Sequence, residues 1–335
     1  MYHRWLDRWD ERRAQRGDAL KERTAFALDA ALAFPDAHEV TSLAEFCALA
    51  DRAAADPTFF EDPSPQDQVV DREDGWIRFK SSVSTGLGEN DLVWAKVTEA
   101  RSSDRALLVF HHWNASSRSP KIANFFSRRG ITVVEMALPY HFERRRPTSS
   151  YADHMLSPNL GRTIQSVRQA VLDGRRLIRA LKTEGYQDIS VLGMSLGSWV
   201  AGLIAAHDPA VRRAALLLSA GSLADMVWTG RATRHIRASF DAEVGLADLR
   251  RAWAPLNLEN HADKLARTDL DLQFVFAKRD TVVLPELSRQ LVAKLRTADV
   301  APGILEMNCG HYSLSLPPYV VRAGLSISRL LSRSQ

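Results

Sequence analysis

The chain has 335 residues, 45% of them hydrophobic and 25% charged, and a formal net charge of +4. This composition suits a globular protein with one large core and excludes disordered and fibrous classes. The arginines are spread along the sequence rather than gathered in blocks, so there is no nucleic-acid footprint. No apolar run approaches the ~18 residues of a membrane helix, and stable membrane insertion is not expected. The two cysteines, Cys47 and Cys309, are too few for a disulfide framework and lack metal-ligand spacing. They fit a reducing, cytoplasmic setting. Residues 1–8 carry charge without a following apolar core, unlike a secretory signal.

Residues 1–65 read as a polar, helical N-terminal extension. Leu6, Trp5 and Trp9 share one helical face. The tryptophans are expected to pack on the body of the protein, with the arginines balanced by Asp7, Asp10 and Glu11. A second helix covers about Ser42 to Ala54, and Pro57, Pro63 and Pro65 mark a linker. From residue 66 to 335 the pattern is that of a second, larger unit. Trp76–Ser81 and Leu92–Val97 read as antiparallel strands around Gly86 and Gly88, and Arg105–Phe110 as a buried strand. A helix over Pro120–Arg129 leads to a strand at Ile131–Ala137. A long helix from Gly161 to Lys182 leads to the strand Asp188–Leu192. The next strand is Ala214–Leu218. Alternation of this kind predicts an α/β fold: a mostly parallel central sheet with helices on both faces. Residues 222–268 interrupt it with a helical stretch rich in Trp and Arg. Inserted at the C-terminal side of the strands, this stretch reads as a cap over a ligand site. The alternation resumes with Leu272–Ala277, a helix over Pro285–Arg296, a strand at Ile304–Met307 and a helix over Pro318–Leu331.

Chemistry concentrates at Gly193-Met194-Ser195-Leu196-Gly197. This Gly-x-Ser-x-Gly follows a buried strand and precedes a small-residue helix, the context in which a serine Oγ is held above the sheet edge. Ser195 is therefore a candidate nucleophile. Leu196 N–H, at the helix N-terminus, is a candidate donor to a developing oxyanion. A serine nucleophile needs a base and a carboxylate to orient it. Asp280 lies just beyond the strand ending at Ala277, and His311 just beyond the last strand. Asp225 is a rival acid. The second oxyanion donor is expected from His111-His112-Trp113-Asn114, as Trp113 N–H, with Asn114 as fallback. The pair His111-His112 raises metal binding, but neighbours on an extended segment point apart and no acidic partner has ligand spacing, so no metal and no cofactor are expected. Candidate substrate contacts are His112, Asn114, Met194, Tyr140, Arg144, Trp228 and His235. For the basic run Arg144-Arg145-Arg146, a solvated loop paired with Glu143 and Asp153 is weighed against recognition of an anionic substrate group.

Together, Gly193–Gly197, Asp280 and Cys309-Gly310-His311 resemble the α/β-hydrolase superfamily over residues 75–330. More narrowly, Leu138-Pro139-Tyr140-His141, Arg144-Arg145-Arg146-Pro147, Ser157-Pro158-Asn159-Leu160 and Val227-Trp228-Thr229-Gly230 resemble bacterial members of the α/β-hydrolase domain-containing 18 family. The resemblance implies the α/β-hydrolase fold and a serine hydrolase acting on a small-molecule ester. Other acyl bonds (thioester, amide, lactone, carbon–carbon), an interfacial lipase-like enzyme docking through Trp5 and Trp9, and a non-catalytic binding protein are the alternatives.

Overall fold

The structure, a computed structural model, describes residues 2–64, 69–101 and 103–333. Pro65 and the boundary expected at 65/66 fall outside them. In chain order the elements that position the site begin with helix α1 (Tyr2–Asp18) and helix α2 (Leu43–Ala55), the latter started by a Ser42/Glu45 capping box. Strands β1 (Val70–Glu73), β2 (Trp76–Lys80), β3 (Leu92–Thr98) and β4 (Arg105–Phe110) follow, then helix α3 (Pro120–Ser127) and strand β5 (Thr132–Met136). Helix α4 (Leu160–Thr183), strand β6 (Asp188–Met194), helix α5 (Leu196–His207) and strand β7 (Val211–Leu217) form the centre. After the helical stretch of residues 222–268 come β8 (Asp271–Ala277), helix α6 (Pro285–Thr297), β9 (Gly303–Met307) and helix α7 (Tyr319–Leu331).

Among the described residues nine strands make one sheet in the order β1-β2-β3-β5-β4-β6-β7-β8-β9. The first three pair antiparallel, β3 joins β5 antiparallel, and the remainder from β5 to β9 is parallel. β1 has no counterpart in the sequence pattern. Its residues Val-Asp-Arg-Glu are mostly exposed, so no apolar alternation marks it.

Alternation sorts the side chains of each central strand between two cores. Ala106, Leu108 and Phe110 of β4 face one core with Ile164 and Leu177 of α4 and Trp199 and Leu203 of α5. Leu107 and Val109 face the other, with Phe126 of α3, Ile327 of α7 and Leu6 of α1. Each fully buried Leu, Ile or Val stabilises the fold by about 1.5–3 kcal/mol relative to exposure. Both faces are covered, as an extended parallel sheet requires. Leu6 is 0% exposed whereas Trp5 is 50% exposed and stacks on Tyr2. The helix is anchored by the leucine, and Trp5 points away from the body, contrary to expectation. Among the described residues no helix is long and apolar enough to cross a membrane.

The chain order reverses about β4: its neighbours are β5 on one side and β6 on the other. Loops leaving the C-terminal ends of β4 and β6 therefore diverge and leave a crevice, the position where open α/β sheets bind ligands. Residues with positive φ collect at this edge: Asn114, Tyr140, Phe142, Ser195 and Leu218.

Candidate active site

Ser195 occupies the turn between β6 and α5 with φ 52° and ψ −123°, a conformation that surrounding structure must impose on an L-residue. Its N–H donates to Leu217 O on β7 at 2.9 Å. Its carbonyl accepts from the Ser198 N–H at 2.8 Å and the Ser198 Oγ at 2.6 Å. The flanking glycines are required by close approach. A Cβ on Gly193 would lie 2.2 Å from Gly197 O, and one on Gly197 would lie 2.3 Å from Phe110 O and 2.4 Å from His111 O. Leu196 is the first residue of α5, so its N–H has no acceptor within the helix. Met194, half-buried, ends β6 beside the serine.

The loop after β4 is held by two imidazoles. His111 Nδ1 donates to His112 O at 2.9 Å, and its Nε2 accepts the Leu138 N–H at 3.1 Å. His141 Nδ1 donates to Pro139 O at 2.9 Å, and its Nε2 accepts the Asn114 N–H at 2.9 Å. Each ring must be neutral to do this, and burial drives both pKa values down, that of His141 to about 3. With both nitrogens of His111 bound to backbone, the His111-His112 pair does not present a chelating set. Among the described residues no group of three or more His, Cys, Asp or Glu is arranged to hold a metal ion.

The Asn114 N–H is committed to His141, and the Asn114 Oδ1 accepts the Ala152 N–H at 2.8 Å. Asn114 thus ties two loops together, and its backbone N–H is not a free oxyanion donor. The Trp113 N–H has no hydrogen-bond partner among the described residues. The Trp113 indole donates to Ala152 O at 2.9 Å. His235, from the helical stretch of residues 222–268, stacks on it at 5.9 Å and 7°, and the Lys21 ammonium lies 5.2 Å over it. His112 is exposed, its Nδ1 bonded to Trp113 O at 2.8 Å, and lies within electrostatic reach of His311.

Asp280 uses its two oxygens separately. Oδ1 accepts the Val282 and Val283 N–H groups at 2.7 and 2.8 Å, which fixes the turn after β8. Oδ2 accepts from His311 Nδ1 at 2.7 Å. That bond sets the imidazole's orientation and leaves Nε2 as the unprotonated nitrogen. Asp225 is engaged elsewhere: both its oxygens bind Arg250, at 2.5 and 2.8 Å.

Two candidate substrate contacts are corrected. Arg144 is 0% exposed and lies in the core. It donates to Asp173 Oδ2 at 2.8 Å, Asn90 O at 2.9 Å and Ala137 O at 3.1 Å, which excludes substrate recognition by its guanidinium. The basic run is thus not a solvated loop at this residue. Arg146 does bond Asp153, at 2.9 Å, while Glu143 pairs with Arg118. Tyr140 is 2% exposed, with its ring 5.2 Å from His154 and its N–H on Asn90 Oδ1. Trp228 is half-buried on the helix Leu223–Thr229, beneath the Arg237 guanidinium. Sequence reasoning missed Lys21 and Tyr151, whose ring lies 6.4 Å from Trp113. No local pattern signals either contact.

No protein-family model matches the sequence, and no curated protein sequence matches it. Solved structures resemble the fold. A puromycin-hydrolysing peptidase of Mycobacterium tuberculosis superposes with a TM-score of 0.60 at 17% identity, covering 79% of this chain and 38% of that one. Acetyl xylan esterase 1 from a Thermoanaerobacterium species gives 0.58 at 15% identity, with 93% and 96% covered. A Butyrivibrio proteoclasticus protein solved with ferulic acid bound gives 0.55 at 13% identity, with 74% and 99% covered. The chain thus spans well under half of the peptidase and nearly all of the other two. Sheet order, crossovers and these likenesses define the α/β-hydrolase fold.

Proposed function

We propose that the protein is a serine hydrolase that cleaves a carboxylic ester through an acyl-enzyme intermediate. The observation that carries this reading is the 2.7 Å His311–Asp280 hydrogen bond at the sheet edge that also carries the strained Ser195. In this reading Ser195 Oγ attacks the carbonyl carbon while His311 Nε2 takes its proton. The Leu196 and Trp113 N–H groups receive the oxyanion, a contribution of about 3 kcal/mol per donor. His311 then protonates the departing alkoxide. Water, deprotonated by the same imidazole, attacks the acyl-serine, and as the acid leaves the imidazolium returns the proton to Ser195 Oγ. Asp280 orients the imidazole and stabilises its cation throughout. No cofactor takes part.

The cap, reaching Trp113 through His235, is assigned the remote parts of the substrate and hence the choice among esters. The narrower likeness to bacterial members of the α/β-hydrolase domain-containing 18 family belongs to the same proposal, as does a cytoplasmic setting with Cys47 and Cys309 both free.

The test is a fluorophosphonate probe together with p-nitrophenyl esters of short and long chain. Wild-type protein should label and hydrolyse, and Ser195→Ala should do neither, with a loss of several orders of magnitude. A Ser195→Ala variant retaining a tenth of wild-type turnover would overturn the reading. A second reading, lipase-like docking, rests on Tyr2 and Trp5, which are about half exposed on the outer face of α1. Co-sedimentation with liposomes that Trp5→Ala abolishes would support it; no binding would remove it.

A further inference from the structure

We infer that α1 straps the catalytic edge and that Asp10 is a positioning residue for His311. The inference rests on the hydrolase reading and adds to it a residue more than three hundred positions from the base.

Asp10 Oδ1 accepts the N–H of Tyr312 at 2.7 Å and that of Ser313 at 3.1 Å. These are the two amides that follow His311. Carboxylate-to-amide bonds of this kind are roughly twice as strong as neutral ones. On the other side of His311, Gly310 lets the carboxylate in: a Cβ there would lie 2.6 Å from Asp10 Cγ. The Gly310 N–H bonds Ser313 Oγ at 2.8 Å, so the turn is closed on itself and gripped from outside by one side chain.

The rest of α1 fixes where that side chain stands. Leu6 is fully buried in the core that contains Met307, Cys309 and Leu314, which bracket the turn. Asp7 bonds the guanidinium of Arg279, the neighbour of Asp280, and the Arg279 N–H donates to Cys309 O at 2.9 Å. Glu11 and Asp18 both pair with Arg231, whose N–H donates to Thr281 O at 2.8 Å. One helix therefore touches the acid loop, the base loop and the start of the cap. Its acids face the body, while Arg4, Arg8, Arg12 and Arg16 face solvent.

The mechanical consequence is specific. Asp280 fixes His311 at Nδ1, and that bond alone leaves the ring free to swing with its backbone. Asp10 fixes the backbone. Loss of the grip should let Nε2 leave the line to Ser195 Oγ, and a displacement of ~1 Å costs about 100-fold in rate.

The test compares full-length wild type with Asp10→Ala, Asp10→Asn, Gly310→Ala and the Asp10→Ala/Gly310→Ala double variant. The readouts are kcat and KM on p-nitrophenyl acetate, the rate of fluorophosphonate labelling, and thermal melting. Asp10→Ala should lower kcat and the labelling rate together by about 10- to 100-fold with KM within about threefold. Asp10→Asn keeps an acceptor oxygen for both amides and should recover most of that loss. Gly310→Ala should displace the carboxylate and match Asp10→Ala, and the double variant should be no worse than either single one. Arg8→Ala, on the outer face, should leave both rates unchanged. Labelling of Asp10→Ala at the wild-type rate, losses that multiply in the double variant, or a raised KM with kcat intact would each overturn the inference and leave the hydrolase reading standing. Wild-type protein that neither labels nor hydrolyses would sink both. If Asp10→Ala does not fold, Asp10→Asn carries the test: normal kcat with wild-type melting supports an acceptor role, and a loss equal to that of Gly310→Ala opposes it.

Discussion

Replacing Gly197 with alanine places a methyl group where the backbone of β4 already stands. The new Cβ would lie 2.3 Å from Phe110 O and 2.4 Å from His111 O, each about 1 Å inside ordinary contact. Neither oxygen belongs to a side chain that can rotate away. The φ of Gly197 is not positive, so alanine gains about 0.5–1 kcal/mol of helix propensity. Overpacking costs about 1–3 kcal/mol, and the net expectation is a loss of up to about 2.5 kcal/mol, read as a lower urea midpoint. The effect on rate should be larger. Strand β4 leads directly to Trp113, so separating α5 from β4 by about 1 Å separates the two proposed oxyanion donors, at a cost of about 100-fold in kcat. Urea melts and steady-state kinetics on p-nitrophenyl acetate measure both quantities. An alanine variant with wild-type midpoint and wild-type kcat would refute the claim that the second glycine exists to let these two elements touch.

Asp280→Asn should reduce kcat by about 10⁴-fold through loss of the imidazole's orienting carboxylate, whereas Asp225→Asn should leave kcat within a few-fold; the reverse pattern in steady-state assays would reassign the acid. Arg144→Met leaves the buried Asp173 carboxylate with the Ser81 hydroxyl but without the guanidinium on Oδ2, and should cost about 3–5 kcal/mol. The Arg144→Met/Asp173→Leu pair should recover much of that in urea melts, and a double variant as unstable as the single one would contradict this account. Stability should also fall on mild acidification. Burial holds His141 at about 3 and His111 well below its ordinary value. Between pH 6.5 and about 3 the unfolded chain therefore binds protons that the native state refuses. The sign is a loss as pH drops, approaching about 1.4 kcal/mol per pH unit for each histidine. Urea midpoints at pH 7.5 and pH 5 should differ, and a flat profile over that window would argue against neutral imidazoles at these sites.

The parallel half of the sheet was legible because its signal is local. It is clearest at Ala106–Phe110, which is apolar on both faces, and at Ile189–Leu192, apolar but for Ser190. Gly193 and Gly197 were legible for the same reason: their spacing encodes a close approach within one turn. Arg144 was misread because Arg144-Arg145-Arg146 carries no mark of burial. Its partner Asp173 lies one helix away, and only the folded chain turns the first arginine inward and leaves the second at the surface. Strand β1 was missed because its side chains meet water on both faces. The apolar face of α1 was legible, but not which of its residues would be buried. Leu6 is buried in the core shared with α7 and the β9 turn, whereas the indole of Trp5, one position before it, lies half exposed. What Asp10 does was invisible for a deeper reason: its partners are backbone amides, and any residue supplies one.

Asp10 and Tyr312 stand 302 positions apart, and Asp7 and Arg279 stand 272 apart. In polymer terms α1 closes a ring that contains almost every other element. The entropy of closing a ring grows only with the logarithm of its length, so the contact is inexpensive once the sheet exists. It cannot precede the sheet, because contacts of such separation form late. A single proteolytic cut between α1 and α2 converts this closure from an intramolecular contact into a bimolecular one and removes an effective concentration on the order of millimolar. If the proposed role of Asp10 holds, such a nick should lower esterase activity and fluorophosphonate labelling, and an undiminished rate in the nicked protein would contradict it.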